Sequence, residues 1–257
     1  MPEVDPQQPS GARVYDYYLG GTHNFAADRQ AAAVALAVMP QLPSVLRMGR
    51  AFLSRAVETA AHAGLDQFLD LGAGIPAAGS VPEVARAVRP GSRIVSVDID
   101  PVAVVLTRRV GDSAAVLADL TEAEAVLGSP PVRELLDLDR PVCLLAVAVA
   151  HFLPDTERLG LALQRYREAL APGSYLVLSH ACAENDPPHA RQILRIYNHM
   201  TSPMMMRQPD ELRAFFGDWR LLEPGVTTAG DWRPEPGDPD PGPSVRGELI
   251  VGVAVKP

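Results

Sequence analysis

The chain has little of what staples a small secreted protein or anchors a membrane protein. It carries two cysteines, Cys143 and Cys182, both in apolar surroundings and neither at metal-ligand spacing from a partner. That excludes a disulfide framework and leaves no metal site to expect. No apolar run approaches the roughly 20 residues of a membrane span. Residues 1–11 are polar and proline-rich without an apolar core, which is not the pattern of a signal peptide. A reduced cytoplasmic protein with no membrane partner is expected. Basic residues are outnumbered, 23 against 31 acidic, for a formal net charge of −8. An acidic balance argues against a non-specific grip on phosphate, so no nucleic-acid partner is expected. Composition does not decide the oligomeric state.

What is present is ordinary globular material, 47% hydrophobic and 21% charged over 257 residues. The length suits one α/β domain with an added cap. Residues 1–11 read as a loosely held tail. Residues 26–63 have a helical pattern interrupted at Pro40 and Pro43, and Gly64 stops it. From there short apolar runs alternate with helical stretches. Strands are expected at 67–71, 93–97, 114–118, 141–150 and 174–179, and helices at 81–88, 102–110, 122–127 and 157–170. Such alternation gives a parallel sheet covered on both faces. After Ala183 the alternation stops. A helical insertion is expected at about 187–208 and a helix at 209–216. Strands at 220–223 and 248–255 then flank a Pro/Gly-rich loop and, lacking a crossover helix, should pair antiparallel. The fold class is thus α/β and Rossmann-like, with five parallel strands and an antiparallel terminal pair. Residues 1–64 form the tail and a helical cap or lid, and 65–257 the binding domain.

The first strand ends in Asp70-Leu71-Gly72-Ala73-Gly74. Glycines there let the backbone turn sharply and approach a ligand. The third glycine of the dinucleotide fingerprint would fall at Ala77 and is absent, which disfavours a pyrophosphate ligand. S-adenosylmethionine has no phosphate and needs none. Asp98 closes the second strand, within reach of ribose hydroxyls, while Asp100-Pro101 fits a helix N-cap and first turn. Asp119 closes the third, where it could accept from an adenine amino group. Three acids closing successive strands on one sheet edge point jointly to an S-adenosylmethionine cofactor. Ala73, Ile99, Leu120 and Ala148 complete the expected contacts on the sheet.

His151-Phe152 follow the fourth strand. His151 is a candidate general base, set against a plainer role in packing. The segment Arg13 to Arg29 is rich in aromatic and polar groups around Gly20-Gly21. Its aromatic faces could stabilise a sulfonium cation, so a lid is expected, with Tyr18, Gly21 and Asn24 at the cofactor and Tyr15 as a candidate catalytic residue. Met204–Met206 and Asp231–Pro234 are candidates for an acceptor pocket.

These residues resemble the actinobacterial family of S-adenosylmethionine-dependent methyltransferases formerly classed as a domain of unknown function. The resemblance runs from about Arg13 to Val255. It rests on R-V-Y-D-Y-Y-L-G-G-T-H-N-F-A-A-D-R, F-L-D-L-G-A-G-I-P, V-D-I-D-P, L-L-D-L-D-R-P-V, H-F-L-P-D, P-G-S-Y-L-V-L-S-H, E-P-G-V and D-W-R-P. It implies a seven-stranded methyltransferase sheet and cofactor contacts at Gly72, Gly74, Asp98 and Asp119. The family often carries polar residues where this chain has Ala77, Ser80, Pro82 and Ile99. The resemblance implies no particular acceptor. The leading reading is methyl transfer to oxygen or nitrogen of a small molecule. A non-catalytic S-adenosylmethionine-binding regulatory module is the alternative, since no asparagine-proline-proline-aromatic motif follows the fourth strand. A nicotinamide-dependent oxidoreductase comes third.

Overall fold

A computed structural model describes residues 4–110, 113–182, 188–198, 203–239, 242 and 246–257. Parts of the expected tail, insertion and late loop therefore lie outside the described residues. Strands β1 (Gln67–Leu71), β2 (Arg93–Asp98), β3 (Ala114–Leu117), β4 (Cys143–Ala146) and β5 (Tyr175–Ala181) pair in parallel. Two-residue strands β6 (Arg220–Leu221) and β7 (Thr227–Thr228) both pair antiparallel with β8 (Leu249–Val255). The order along the sheet is β3-β2-β1-β4-β5-β8-β6, with β7 also on β8. β8 lies between β5 and β6 and is antiparallel to both. The order reverses between β1 and β4, and ligands of such sheets bind beyond the strand C-termini at that switch point.

Helices cover both faces. α1 (Gly11–Tyr18), α2 (Ala26–Val38), α3 (Leu42–His62), α4 (Val81–Val88) and α9 (Pro188–Tyr197) belong to one side. Val45, Met48, Phe52, Ala56 and Ala60 of α3 join Phe68, Cys143, Val177 and Val253 of the sheet in one buried cluster. The i, i+3, i+4 spacing of those α3 residues is what makes that face apolar. On the other side α6 (Ala123–Leu127), α7 (Pro130–Leu135), α8 (Thr156–Ala169) and α10 (Pro209–Ala214) bury Val126, Val132, Leu163 and Leu212 against Leu69, Val95, Leu144 and Leu176. Alternate residues of each strand thus feed opposite cores. α5 (Pro101–Thr107) crosses from β2 to β3, and its first turn is capped by Asp100, which accepts from the Val102 N–H at 2.8 Å.

Several expectations are corrected. The tail is not loose at its end, because Ser10 is buried, its N–H donates to Asp28 and its hydroxyl donates to Asp100. α1 and α7 went unanticipated, being only 8 and 6 residues long, about two turns or fewer of apolar pattern. The run 141–150 yields only a four-residue strand. Beyond Ala146 the chain leaves the sheet, Ala148 takes φ +57°, and a single 3₁₀ turn forms at Ala150–Phe152. The insertion helix ends at Tyr197, and Met204–Met206 are not helical. Trp232 packs edge-on against Phe52 in the core, while Asp231, Arg233 and Pro234 on either side of it are exposed.

Candidate active site

A cavity of about 780 Å³ opens at the switch point. Its floor is the turn after β1. Gly72 and Gly74 take φ +70° and +68°, conformations that favour glycine. A Cβ on Gly72 would fall 2.2 Å from Val149 Cγ2, so the turns after β1 and β4 touch only because Gly72 is bare. A Cβ on Gly74 would meet no atom within 4 Å. The N–H groups of Gly72 and Ala73 both donate to the Val97 carbonyl, which fixes the turn against β2.

The three strand-end acids reach this floor together. Asp98 accepts the Gly74 N–H at 2.7 Å and the Asp100 N–H at 2.8 Å. It is not free, as its place after β2 suggested, but each carboxylate oxygen keeps a further lone pair. Burial pushes its pKa up to about 6, against the pull of those two amides. Asp119 accepts from the Thr121 N–H and hydroxyl and pairs with Arg158 at 3.1 Å. Asp70 is buried, and burial pushes its pKa up to about 7; Arg50 opposes the shift and Asp98 adds to it. Ala73, Ile99, Leu120 and Ala148 also line the cavity. Ile99 is 65% exposed at the rim, an apolar face that only a ligand or another surface would cover. Ala148 is an alanine in the left-handed region, and its N–H donates to Ser179 Oγ at 2.7 Å. Strain of this kind gathers at functional sites, where neighbouring bonds hold it.

The roof is the N-terminal segment. Val4, Gln8, Ser10, Gly11, Arg13 and Tyr15 line it, with Pro203 from beyond α9. A buried network fastens it. Arg13 Nε bonds Asp28 at 2.9 Å, and its Nη1 reaches Asp100 at 3.3 Å. Asp28, fully buried, also accepts the N–H groups of Ser10 and Phe25. The lid residues divide accordingly. Tyr15 faces the cavity, and burial raises its phenol pKa while Arg50 opposes. Tyr18, Gly21 and Asn24 are not on the cavity wall. Tyr18 is buried and receives a hydrogen bond from Tyr197 of α9, Gly21 is pressed against Asp16, and Asn24 donates to Asp16.

His151 is not on the wall either. Its ring lies tilted against Phe152 and edge-on to His180, its Nδ1 has no hydrogen-bond partner among the described residues, and burial drives its pKa down to about 3, with His180 and Arg207 adding to the shift. The side chain that does face the cavity here is Phe152, which also lies under Gly11. Two residues with no signal in the sequence prove central. Arg50, midway along α3, lines the cavity. Arg207 is fully buried and donates to the Ala150 and Leu153 carbonyls, to Thr156 Oγ1 and to His180 Nε2, holding the loop after β4 in place.

Comparison with known proteins agrees with this geometry. No curated protein matches the chain. It is similar to a DUF574 family protein from Streptomyces avermitilis MA-4680, with 35% identity over 99% of this chain and 100% of that one, at a TM-score of 0.94. It is also similar to a Thermobifida fusca YX protein proposed to be a methyltransferase, with 37% identity over 99% and 97% of the two chains and a TM-score of 0.91. Human N-acetylserotonin methyltransferase, solved with S-adenosylmethionine, shares the fold at 16% identity and a TM-score of 0.50 over 97% and 63%. The family model for S-adenosyl methyltransferases matches residues 1–257. The chain therefore belongs to the S-adenosyl methyltransferase family and is an S-adenosylmethionine-dependent methyltransferase.

Proposed function

We propose that the methyl group goes to an oxygen or nitrogen of a small-molecule acceptor held between the sheet edge and the N-terminal roof. The observation that carries this reading is the roofed cavity itself. Its volume of about 780 Å³ suits a cofactor with a modest acceptor beside it, rather than a polymer laid across the sheet edge.

The residues present fit the cofactor. Asp98 can accept ribose hydroxyls with its remaining lone pairs, and Asp119 with Leu120 and Ile99 offers an acceptor and apolar faces for adenine. The open space above Gly74 lets a ligand approach backbone closely. Bound there, S-adenosylmethionine supplies an electrophilic methyl group on a sulfonium centre. The chain's own task is to align the acceptor's lone pair and exclude water. Tyr15 stays a neutral phenol and can hydrogen-bond the acceptor's heteroatom. Phe152, Leu53 and Val149 supply apolar wall around it. His151, neutral and off the wall, takes no proton in this scheme. Tyr18, Gly21 and Asn24 act at one remove, by holding the roof.

The test is to incubate the full chain with S-adenosylmethionine and a panel of small alcohols, phenols and amines, and to follow S-adenosylhomocysteine release and product mass. Acceptor-dependent O- or N-methylation is expected. Turnover confined to protein or nucleic acid, or methylation at carbon, would refute it. Tyr15→Phe should lower kcat about three- to tenfold, the worth of one hydrogen bond, with S-adenosylhomocysteine affinity nearly unchanged.

A further inference from the structure

Among the described residues two aromatic rings line the cavity, Tyr15 from the roof and Phe152 from the loop after β4. The Phe152 ring is fixed on three sides. The His151 ring lies against it, 4.5 Å away between centroids and tilted by 52°. The Tyr197 ring of α9 approaches to 5.9 Å, and the Tyr197 hydroxyl donates to Tyr18 of the roof helix α1. The tip of the Phe152 ring lies under Gly11, where a Cβ would sit 3.4 Å from Cζ, so no roof side chain covers the ring at that position. Behind His151 the support continues. His180 stands edge-on to it at 5.8 Å. Both His180 nitrogens are engaged, Nδ1 with the Ala181 carbonyl at 2.8 Å and Nε2 with the Arg207 guanidinium at 2.7 Å. Arg207 in turn binds the Ala150 and Leu153 carbonyls, which flank His151 and Phe152 in the chain.

His151 Nδ1 has no hydrogen-bond partner among the described residues, and burial keeps the ring unprotonated. What this buried imidazole contributes is its flat surface, packed on Phe152, rather than a proton or a hydrogen bond. A wall ring that cannot swing loses no rotamer freedom when a ligand arrives. A flat ligand ring laid against it gains the offset or edge-to-face attraction of an aromatic pair, which a puckered aliphatic body of similar size does not. The cofactor's place is the floor around Gly74 and Asp98, whereas Phe152 meets the roof at Gly11, so its ring borders the space left to the acceptor. We propose that Phe152 selects the acceptor, favouring a flat aromatic ring that bears the reacting hydroxyl or amino group, and that His151 is the positioning residue holding the Phe152 ring. The proposal rests on the small-molecule reading above and adds a substrate class to it.

The test is calorimetric titration of the full chain, saturated with S-adenosylhomocysteine, with β-naphthol and with its ring-saturated counterpart decahydro-β-naphthol. The native chain should bind the flat probe about 2- to 10-fold more tightly, the worth of one aromatic pair. Phe152→Leu, which keeps an apolar wall without a ring, should erase that preference and leave S-adenosylhomocysteine affinity nearly unchanged. His151→Leu, which fills the space behind Phe152 without a flat face, should lower the preference, and His151→Phe should keep it. Equal affinity of the native chain for the two probes, or binding of neither, would overturn the proposal without any substitution. So would a preference that Phe152→Leu leaves intact, or one that His151→Leu and His151→Phe affect equally. A native chain that does not take up S-adenosylhomocysteine would instead bring down the cofactor reading. Turnover confined to macromolecules in the acceptor panel would bring down the small-molecule reading, whichever probe binds.

Discussion

On the sheet side of the cavity, Asp98 is held by the amides of Gly74 and Asp100, and Asp119 by that of Thr121. On the roof side, Arg13 joins Asp28 to Asp100 across most of a hundred residues; behind the loop after β4, Arg207 likewise reaches back to the carbonyls of Ala150 and Leu153. The floor is thus backbone geometry with carboxylates attached. The roof is buried charge satisfied at long range. Floors of the first kind survive the loss of a side chain, since the glycine turn persists. Roofs of the second kind do not, because removing one partner strands the other in an apolar setting. The floor and the loop after β4 titrate in opposite senses. Burial favours the protonated form of Asp70 and Asp98 on the floor, and the unprotonated form of His151 and His180 behind that loop.

The largest break in this comparison is Asp28→Ala. It takes from the buried Arg13 guanidinium the nearer of its two carboxylates, leaves the N–H groups of Ser10 and Phe25 unpaired, and should cost about 3–5 kcal/mol in urea denaturation. S-adenosylhomocysteine affinity should fall with it, because Ser10 and Arg13 line the cavity. A loss below about 1 kcal/mol would mean that apolar packing alone holds the roof.

Next come the two floor glycines, which should separate. Gly72→Ala combines positive-φ strain with a clash on Val149 and should cost roughly 2–4 kcal/mol, abolishing cofactor binding. Gly74→Ala carries the strain alone and should cost about 1–2 kcal/mol, both costs read by urea denaturation. Equal costs would show that the Val149 contact gives way freely.

The smallest effects are in pH. The folded pKa of His151, about 3, lies below its ordinary 6.5, so the unfolded chain binds a proton that the native one refuses, and stability falls as pH drops from 6.5 toward 3. Asp70, at about 7 against 3.8, does the reverse: the native chain holds a proton that the unfolded one has lost, and stability falls as pH rises from 3.8 to 7. In denaturation series from pH 4 to 8, His151→Phe should lessen the loss on the acid side. Asp70→Asn should lessen the loss toward neutrality and steepen the acid side, each by at most about 1.4 kcal/mol per pH unit, the slope that one proton gives. Parallel curves for both variants and the native chain would show that neither group titrates abnormally.

How much was legible follows the same division. The parallel strands and the helices between them could be read because a strand buried on both faces needs a continuous apolar run and each crossover helix an apolar stripe. Asp100 as a helix cap was readable because its partner, the Val102 N–H, is two residues away. The run 141–150 misled because apolarity marks burial, and the buried turn carrying Ala148 is as apolar as the strand before it. His151 misled in the same way. Its place after β4 is right for chemistry, but the ring turns into the core and Phe152 takes the wall.

The sequence by itself determined the α/β class, the switch-point turn at Gly72 and Gly74 and the strand-end acids, because each depends on interactions within a few residues or on a period of two or 3.6. The tertiary structure alone decided that Arg13 pins the roof, that Arg207 braces the loop after β4, and that Arg50 and Asp70 share one end of the cavity. Those facts depend on which distant side chains meet in low dielectric, and no local pattern encodes such a meeting.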